Sequence, residues 1–308
     1  MEFFHKSVLY NECIENLNIK ENGTYIDATM GGAGHSSGIC SCLGKDGFFI
    51  GVDRDVEAFS VAKKRLEKFE CEKQFVRANF CEIKNYVSKK ADGILADLGV
   101  SSYQLDNKDR GFTYREDSVL DMRMDISSPF SAKNVVNEYD FKDLMRIISV
   151  YGEEKYAKSI ASNIVKQRSI KPIETTFELT EIIKRSMPAK SLKEKHPAKR
   201  TFQAIRIEVN DELGSLKKGL ESFFELLNVG GRMCIITFHS LEDRIVKEYF
   251  KSLVDVCTCP KDFPVCICNN KPKAKLITRK PISATKEELE FNPRSKSAHL
   301  RVIEKISD

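Results

Sequence analysis

Residues 24–35 carry the sequence TYIDATMGGAGH, and this stretch decides the fold prediction. It begins as a short apolar strand at residues 25–28 and breaks into a turn that holds Gly31, Gly32 and Gly34. The small and polar residues that follow favour the start of a helix. A strand, a glycine turn and a helix in this order are typical of α/β sheets that bring bare backbone against a nucleotide-like ligand.

A second landmark lies at residues 47–53, GFFIGVD, which read as a buried strand that ends in a carboxylate. Asp53 stands about 20 residues past the glycine turn, where an acidic side chain can accept hydrogen bonds from ribose hydroxyls. Gly32 and Gly34 match the first positions of the dinucleotide pattern G-x-G-x-x-G, but Ser37 stands at the third. The two landmarks favour a nucleoside-cofactor site. The alternative is an ordinary turn followed by a helix-capping Asp.

Strands and helices alternate through the first hundred residues, which predicts a mostly parallel sheet with helices on both faces. The alternation stops at residues 99–130, a polar loop, and residues 131–198 show helical periodicity. We therefore predict an α/β domain formed by residues 1–130 and 199–308, with a helical substrate-recognition subdomain, residues 131–198, inserted into it. Further strands are predicted at 74–78, 93–98, 232–238, 275–279 and 299–303, and helices at 7–17 (Ser7 as N-cap), 56–69, 151–168, 176–186 (Thr176 as cap), 201–227 and 241–253.

The composition is that of a globular protein, with 41% hydrophobic and 31% charged residues in 308. No stretch approaches the uncharged length of a transmembrane span, and the N-terminus does not have the pattern of a signal peptide. The ten cysteines are scattered through the chain, so reduced thiols in the cytoplasm are predicted rather than a disulfide framework.

The net charge is only +5, but its placement is uneven. Residues 271–308 carry ten Lys and Arg against five Asp and Glu. Basic patches on a nearly neutral body suit a polyanion such as nucleic acid; a solvated lysine-rich surface explains the charge equally well. A second basic cluster comprises Lys190, Lys193, Lys195, Lys199 and Arg200.

The candidate site residues stand where the predicted parallel strands end, since ligands lie at that edge of such a sheet. They are residues 31–35, Asp53, Phe80 and Asp97. Phe80 is placed to stack on a purine, or else is a core residue. Asp97 ends an apolar strand beside a glycine and is expected to point into the site, the alternative being a turn cap.

At these residues the chain resembles the family of bacterial 16S ribosomal RNA cytosine-N4 methyltransferases, also called MraW or RsmH. The resemblance covers nearly the whole chain, and its motifs occur in the family's order. They are YIDATMGGAGHS at 25–36, DLGVSSYQLD at 97–106, RGF at 110–112, LDMRMD at 120–125, YGEE at 151–154, HPAKRTFQAIRI at 196–207, FHSLEDRIVK at 238–247 and NPRSKSA at 292–298.

The resemblance implies a class I, Rossmann-like methyltransferase sheet, S-adenosylmethionine as methyl donor, and a cytidine in the decoding region of the small ribosomal subunit as acceptor. It also implies roles for individual residues. Ala33, Gly34 and His35 would hold the methionine portion of the donor. Asp53 would bind its ribose, Phe80 would flank its adenine, and Asp97 and Gln104 would complete the pocket. The implied partner is 16S rRNA in the small subunit; a homodimer is compatible with the sequence, which does not decide the oligomeric state.

Asp97 is also the candidate catalytic residue, because a carboxylate that accepts hydrogen bonds from the cytosine amino group would free the nitrogen lone pair. The alternative is that Asp97 only binds the donor. The target base must leave its stack to react. Tyr103, Phe112 and Tyr114 are candidates for stacking on it, and Arg110, Arg115, Arg123 and Arg200 for holding phosphates. A solvated or salt-bridged surface role is the alternative for each of them. His239 either lines the acceptor side or caps a helix.

Two further readings stay open from the sequence. A non-catalytic RNA-binding or assembly factor could have the same fold, and an NAD-type oxidoreductase is disfavoured by the missing third glycine. Separately, Cys257, Cys259, Cys266 and Cys268 form a tight cluster. Four thiols at this spacing are either a structural zinc site or reduced thiols in a loop.

Overall fold

The structure is a computed structural model that describes residues 7–193, 196–257, 259, 268 and 270–308. The chain divides into two compact units. The first ends at Gly99 and resumes from Leu213 to Asp308, and the second runs from Val100 to Glu212. Within the described residues, no helix is both long and apolar enough to cross a bilayer.

One mixed sheet forms the centre of the first unit, in the order β3-β2-β1-β4-β5-β8-β6, with β7 paired to β8. Strands β1 to β5 are mutually parallel, and β6, β7 and β8 add an antiparallel edge. The predicted parallel sheet is therefore confirmed. The strands are β1 (Thr24–Asp27), β2 (Phe48–Asp53), β3 (Glu72–Arg77), β4 (Ala91–Asp97), β5 (Leu227–Thr237), β6 (Ala274–Leu276), β7 (Ile282–Ser283) and β8 (His299–Lys305).

The central strands are buried on both faces, which explains their continuous apolar sequences. Tyr25, Ile26, Phe49 and Ile50 are at most 1% exposed. The α-helices of the described chain are α1 (Tyr10–Leu17), α2 (Gly34–Cys42), α3 (Val56–Leu66), α4 (Ser102–Asp106), α5 (Ala132–Glu138), α6 (Phe141–Val150), α7 (Ala157–Arg168), α8 (Thr176–Arg185), α9 (Ala198–Asn210), α10 (Glu212–Leu226), α11 (Ser240–Val254) and α12 (Lys286–Phe291).

Two predicted helix starts are wrong. Helix α1 begins at Tyr10 and not at Ser7, because Leu9 adopts a left-handed conformation with φ 51°. The backbone N–H of Leu9 donates to Oε1 of Glu288 at 2.9 Å, so a distant carboxylate sets this helix start. Helix α8 is capped by Thr175 and not by Thr176, through a reciprocal capping box with Glu178.

Two predicted long helices are broken by residues with positive φ. The segment 201–227 is two helices, because Asp211 has φ 45° and ends α9. The segment 151–168 becomes helical only at Ala157, after Glu153 with φ 47°. Asp is one of the few residues that visits this region routinely, whereas a left-handed Glu carries no sequence signal.

The second unit is a helical core that also contains the polar loop before it. Asn210, at the end of α9, accepts a hydrogen bond from the Met124 N–H at 2.8 Å and donates to the Met122 carbonyl at 2.8 Å. Leu120 N–H donates to the Glu174 carbonyl at 2.9 Å. Because these bonds and the burial of Met122 and Met124 attach the loop to the helices, the unit extends beyond residues 131–198 in both directions.

Candidate functional site

The carboxyl ends of β1, β2 and β4 lie side by side, because these strands are neighbours in the sheet and parallel. Backbone bonds continue beyond the strands. The Ala28 N–H donates to the Leu95 carbonyl at 2.8 Å, and the Met30 N–H donates to the Val52 carbonyl at 2.9 Å. The glycine turn after β1 is thereby fixed between the ends of the two neighbouring strands.

The turn contains two residues with left-handed backbone and one glycine that is open to a ligand. Gly31 has φ 49°, and Ala33, the residue before α2, has φ 62°. A Cβ atom built on Gly32 would meet no atom of the described residues within 4 Å. Gly32 lies two residues before α2, and the dipole at the start of that helix favours a carboxylate. The open position at Gly32 fits a nucleoside cofactor. Ala33 and His35 are buried, and a Cβ atom on Gly34 would collide with the Ser7 side chain, so their role toward the methionine portion stays a prediction.

Asp53 ends β2 and is held by the turn. Its Oδ2 accepts from the Gly31 N–H at 2.6 Å and its Oδ1 from the Asp55 N–H at 2.8 Å. Burial raises the pKa of the Asp53 carboxyl, and these two bonds oppose that effect. Each carboxylate oxygen keeps a second lone pair, so the fixed side chain can still accept from two ribose hydroxyls.

Asp27 is a further buried carboxylate at the end of β1, and it was not among the predicted site residues. Asp27 is 1% exposed and accepts from the Ser36 hydroxyl at 2.6 Å and from the Thr29 N–H at 3.1 Å. Burial raises its pKa to about 6, against these hydrogen bonds. The Thr29 hydroxyl accepts in turn from the Asp97 N–H at 2.6 Å. The signal that identified Asp53 and Asp97, a carboxylate at the end of an apolar strand, applies equally to Asp27.

Asp97 ends β4, and its two carboxyl oxygens have different surroundings. Its Oδ2 lies 3.6 Å from Nδ1 of His35. Its Oδ1 is buried and accepts no hydrogen bond from the residues that the structure describes. Burial, together with the carboxylates of Asp27 and Glu242, raises the pKa of Asp97 well above its usual range. A buried oxygen without a donor is costly, and a cationic or hydrogen-bond-donating ligand at Oδ1 removes that cost.

His35 is a neutral, immobilised ring. It is 5% exposed, and its Nε2 lies 2.9 Å from the Val8 carbonyl. Burial lowers the pKa of the His35 imidazole to about 4. Since a carbonyl only accepts, Nε2 carries the proton, and the Nδ1 lone pair faces Asp97.

The profile of the MraW methylase family matches residues 2–306. The chain belongs to the MraW methylase family. Three relatives have the same name, "Ribosomal RNA small subunit methyltransferase H". The relative from Clostridioides difficile is 57% identical, with 99% of this chain and 100% of the relative covered. Those from Lachnospira eligens and Clostridium botulinum are 55% and 54% identical over 99% of this chain, and 99% and 100% of their own lengths are covered.

Membership in the MraW methylase family confirms the predicted class of enzyme, a methyltransferase, and its cofactor, S-adenosylmethionine. The observed sheet confirms the predicted fold class, and the open glycine turn with the two carboxylates fits this cofactor. The roles of the individual residues are not decided by membership and stay predictions.

Phe80, the predicted adenine neighbour, begins a short 3-10 helix after β3 and is half-buried. Its ring lies 5.8 Å from that of Phe223, and a Cβ atom on Gly219 would come within 2.6 Å of it. The ring therefore packs against α10 and still has an exposed part, so the core role and the adenine role are compatible.

Gln104 lies on the short helix α4 of the second unit. It is 4% exposed and forms a capping box with Ser101, whose N–H donates to Oε1 of Gln104 at 3.1 Å. This bond fixes the side chain locally. Its predicted place in the cofactor pocket stays a prediction.

Among the predicted RNA contacts, Phe112 is 8% exposed in the core of the second unit. Arg110 is buried and donates to the carbonyls of Arg123 and Met124. Arg123 in turn binds the Asp121 carboxylate with two nitrogens, at 2.9 and 2.6 Å. These residues hold the loop in shape. The ion pair of Arg123 is the salt-bridged alternative that the sequence left open, whereas the burial of Phe112 and Arg110 differs from the surface role given as their alternative. Arg200 donates to the Glu153 carbonyl at 3.2 Å.

Tyr103 and Tyr114 remain accessible. Tyr103 is 45% exposed, and Tyr114 stacks on His196 with ring centroids 4.2 Å apart. His239 caps α11, with Nδ1 accepting from the Glu242 N–H at 3.4 Å and Nε2 at 3.2 Å from Oε1 of the same residue. Of the two open readings for His239, the structure shows the cap.

Proposed function

We propose that this protein transfers a methyl group from S-adenosylmethionine to N4 of a cytidine in the decoding region of 16S rRNA. The names of the three relatives support ribosomal RNA of the small subunit as the substrate class. The observation that carries the chemistry is the buried Oδ1 of Asp97, at the end of a strand beside the cofactor turn.

The acceptor nitrogen is a poor nucleophile because its lone pair is delocalised into the ring. When bound, the cofactor supplies a methyl group on a sulfonium, which is already a strong electrophile. Asp97 Oδ1 accepts a hydrogen bond from the N4 amino group and takes the proton that N4 loses on gaining the methyl group. The remaining rate enhancement comes from positioning, because two reactants that are held in line react in an effectively unimolecular step.

The cofactor is held by this chain's own residues in the following way. The backbone of Ala33, Gly34 and His35 binds the methionine portion, and Asp53 accepts from the ribose hydroxyls. Phe80 flanks the adenine with the part of its ring that is exposed.

The second unit supplies the RNA contacts in this proposal. Tyr114 and His196 form a stacked pair. Burial lowers the pKa of His196, and the positive charges of Lys184 and Arg115 lower it further, so both cations lie near this pair. Arg115 and His196 are exposed. An aromatic pair surrounded by positive charge is the arrangement that binds unstacked bases and phosphates. Lys195 of the predicted basic cluster lies outside the described residues.

The deciding experiment uses small ribosomal subunits from cells that lack this gene, incubated with the pure protein and methyl-labelled S-adenosylmethionine. The RNA is digested and its nucleosides are identified. Label in N4-methylcytidine establishes the acceptor atom, and protection mapping of the labelled RNA locates the cytidine. Label in another nucleoside contradicts the proposed acceptor atom. No label while the cofactor is bound contradicts the proposed reaction on this substrate and favours the assembly-factor hypothesis.

A pair of variants separates chemistry from binding at Asp97. If Asp97 acts on the amino group, Asp97→Asn lowers the single-turnover rate by at least about 100-fold. Asp46→Asn, a change of an exposed carboxylate outside the site, leaves it unchanged. A variant whose loss is restored fully by saturating cofactor would show that Asp97 binds only the donor.

A further inference from the structure

Three cysteine thiols come together in the segment between α11 and β6. The ligand atoms of Cys257, Cys259 and Cys268 all lie within 4.8 Å of one another. Cys257 is exposed and the other two are half-buried, so the group is open to an ion from solvent. It belongs to the first unit and is separate in sequence from every residue assigned to the cofactor.

The spacing of two of these thiols has a chemical meaning. The sulfur atoms of Cys257 and Cys268 lie 3.8 Å apart. A disulfide requires about 2.05 Å. Zinc binds thiolates at about 2.3 Å in tetrahedral geometry, which places neighbouring sulfur atoms about 3.8 Å apart. The pair therefore has the separation of two corners of a zinc tetrahedron and not that of a covalent bond.

The chain on either side holds the thiols together without the metal. The Lys273 N–H donates to the Leu253 carbonyl at 2.8 Å, and the Asn270 side chain donates to the Val256 carbonyl at 3.0 Å. These two bonds close the base of the loop immediately outside the cysteines. Because these bonds fix the chain beside Cys257 and Cys268, the two thiols are held near each other before an ion binds, which favours tight binding.

We infer that Cys257, Cys259 and Cys268 form a structural zinc site that clips the loop between α11 and β6. On binding, each thiol loses its proton to solvent and becomes a thiolate ligand, so three of the four tetrahedral positions are filled by the described residues. Cys266, which the sequence prediction included, lies outside the described residues. The ion does not change oxidation state, and it acts by holding the loop, not by touching the substrate.

The test measures the metal content of the full-length protein purified without added metal or chelator. We expect one zinc per chain, lost in both Cys257→Ser and Cys268→Ser. The matched control is Cys42→Ser, which removes an exposed thiol outside the cluster and keeps the zinc. Replacement of zinc by cobalt(II) should give the visible absorption of tetrahedral cobalt thiolate, and this absorption should weaken in both cluster variants.

Four outcomes overturn the inference. The first is a folded protein without metal whose thiols are all reduced, and the second is a disulfide found by mass spectrometry. The third is iron with acid-labile sulfide in place of zinc, since iron–sulfur clusters use the same ligands. The fourth is zinc that survives in both cluster variants. None of these readouts depends on methyl transfer.

Discussion

Nδ1 of His35 and Oδ2 of Asp97 lie 3.6 Å apart, while Nε2 of the same ring is bound to the Val8 carbonyl. The neutral ring thus presents a lone pair to a carboxyl whose pKa burial raises well above its usual range. Burial of the carboxyl and the facing lone pair both favour the protonated form of Asp97. A cationic ligand has the opposite effect, because it stabilises the carboxylate.

This relationship predicts that cofactor binding depends on pH. Binding of the cationic donor releases the proton of Asp97, so the affinity for S-adenosylmethionine should rise with pH, by up to about tenfold per pH unit below the raised pKa. Calorimetric titrations at a series of pH values measure this slope. All of these pH values should lie below the range in which the α-amino group of S-adenosylmethionine titrates. In Asp97→Asn the slope should flatten and the affinity should fall. Equal slopes in both proteins would contradict the prediction.

Gly32 offers a test of the open space over the turn. A Cβ atom there would meet no atom of the described residues within 4 Å, and the residue does not have positive φ. Gly32→Ala should therefore keep the melting temperature but lower the affinity for S-adenosylmethionine about tenfold or more, because the methyl group occupies the space of the ligand. Gly111→Ala is the contrasting control. Gly111 has φ 69° and its Cβ atom would lie 2.4 Å from the Val119 carbonyl, so this variant should lose stability.

Phe80 can be tested from two sides. Gly219→Ala places a Cβ atom about where the Phe80 ring lies, 2.6 Å from its Cδ2, and should displace the ring at a cost of about 1–3 kcal/mol in unfolding free energy. Phe80→Leu removes the ring without overpacking. If Phe80 flanks the adenine, both variants weaken the binding of S-adenosylmethionine, which equilibrium dialysis measures. Unchanged affinity in Phe80→Leu would leave only the core role.

The surface around Tyr114 and His196 should govern RNA binding and not the cofactor. Arg115→Ala, which leaves the stacked pair in place, should raise the KM for small subunits several-fold and reduce the salt dependence of binding. We expect kcat and the dissociation constant of S-adenosylmethionine to stay the same. Tyr86→Leu, a change of a 52% exposed aromatic in the first unit, is the control for a general surface effect. Equal KM values in Arg115→Ala and the native protein would remove Arg115 from the interface.

Much of the first unit was predictable because its signals are local. An apolar run that ends in a carboxylate marks β1, β2 and β4, and the glycine turn marks the start of α2. The limits of other elements were not predictable where long-range contacts set them. Helix α1 begins at Tyr10 because Glu288, far away in sequence, binds the Leu9 N–H. Strand β5 begins at Leu227, five residues before the predicted start at residue 232, because Leu227 pairs with Ala91 of β4 across a register shift.

By itself the sequence determined the family, the parallel sheet and the order of the site residues, since these follow from motifs and periodicity along the chain. Only the tertiary structure decided what each polar side chain meets. It showed that Arg110 is a buried support of its loop, that Asp27 lies beneath the turn, and that Asp97 keeps one buried oxygen without a donor among the described residues. The physical reason is that hydrogen bonding and burial depend on neighbours distant in sequence, and residue type does not specify them.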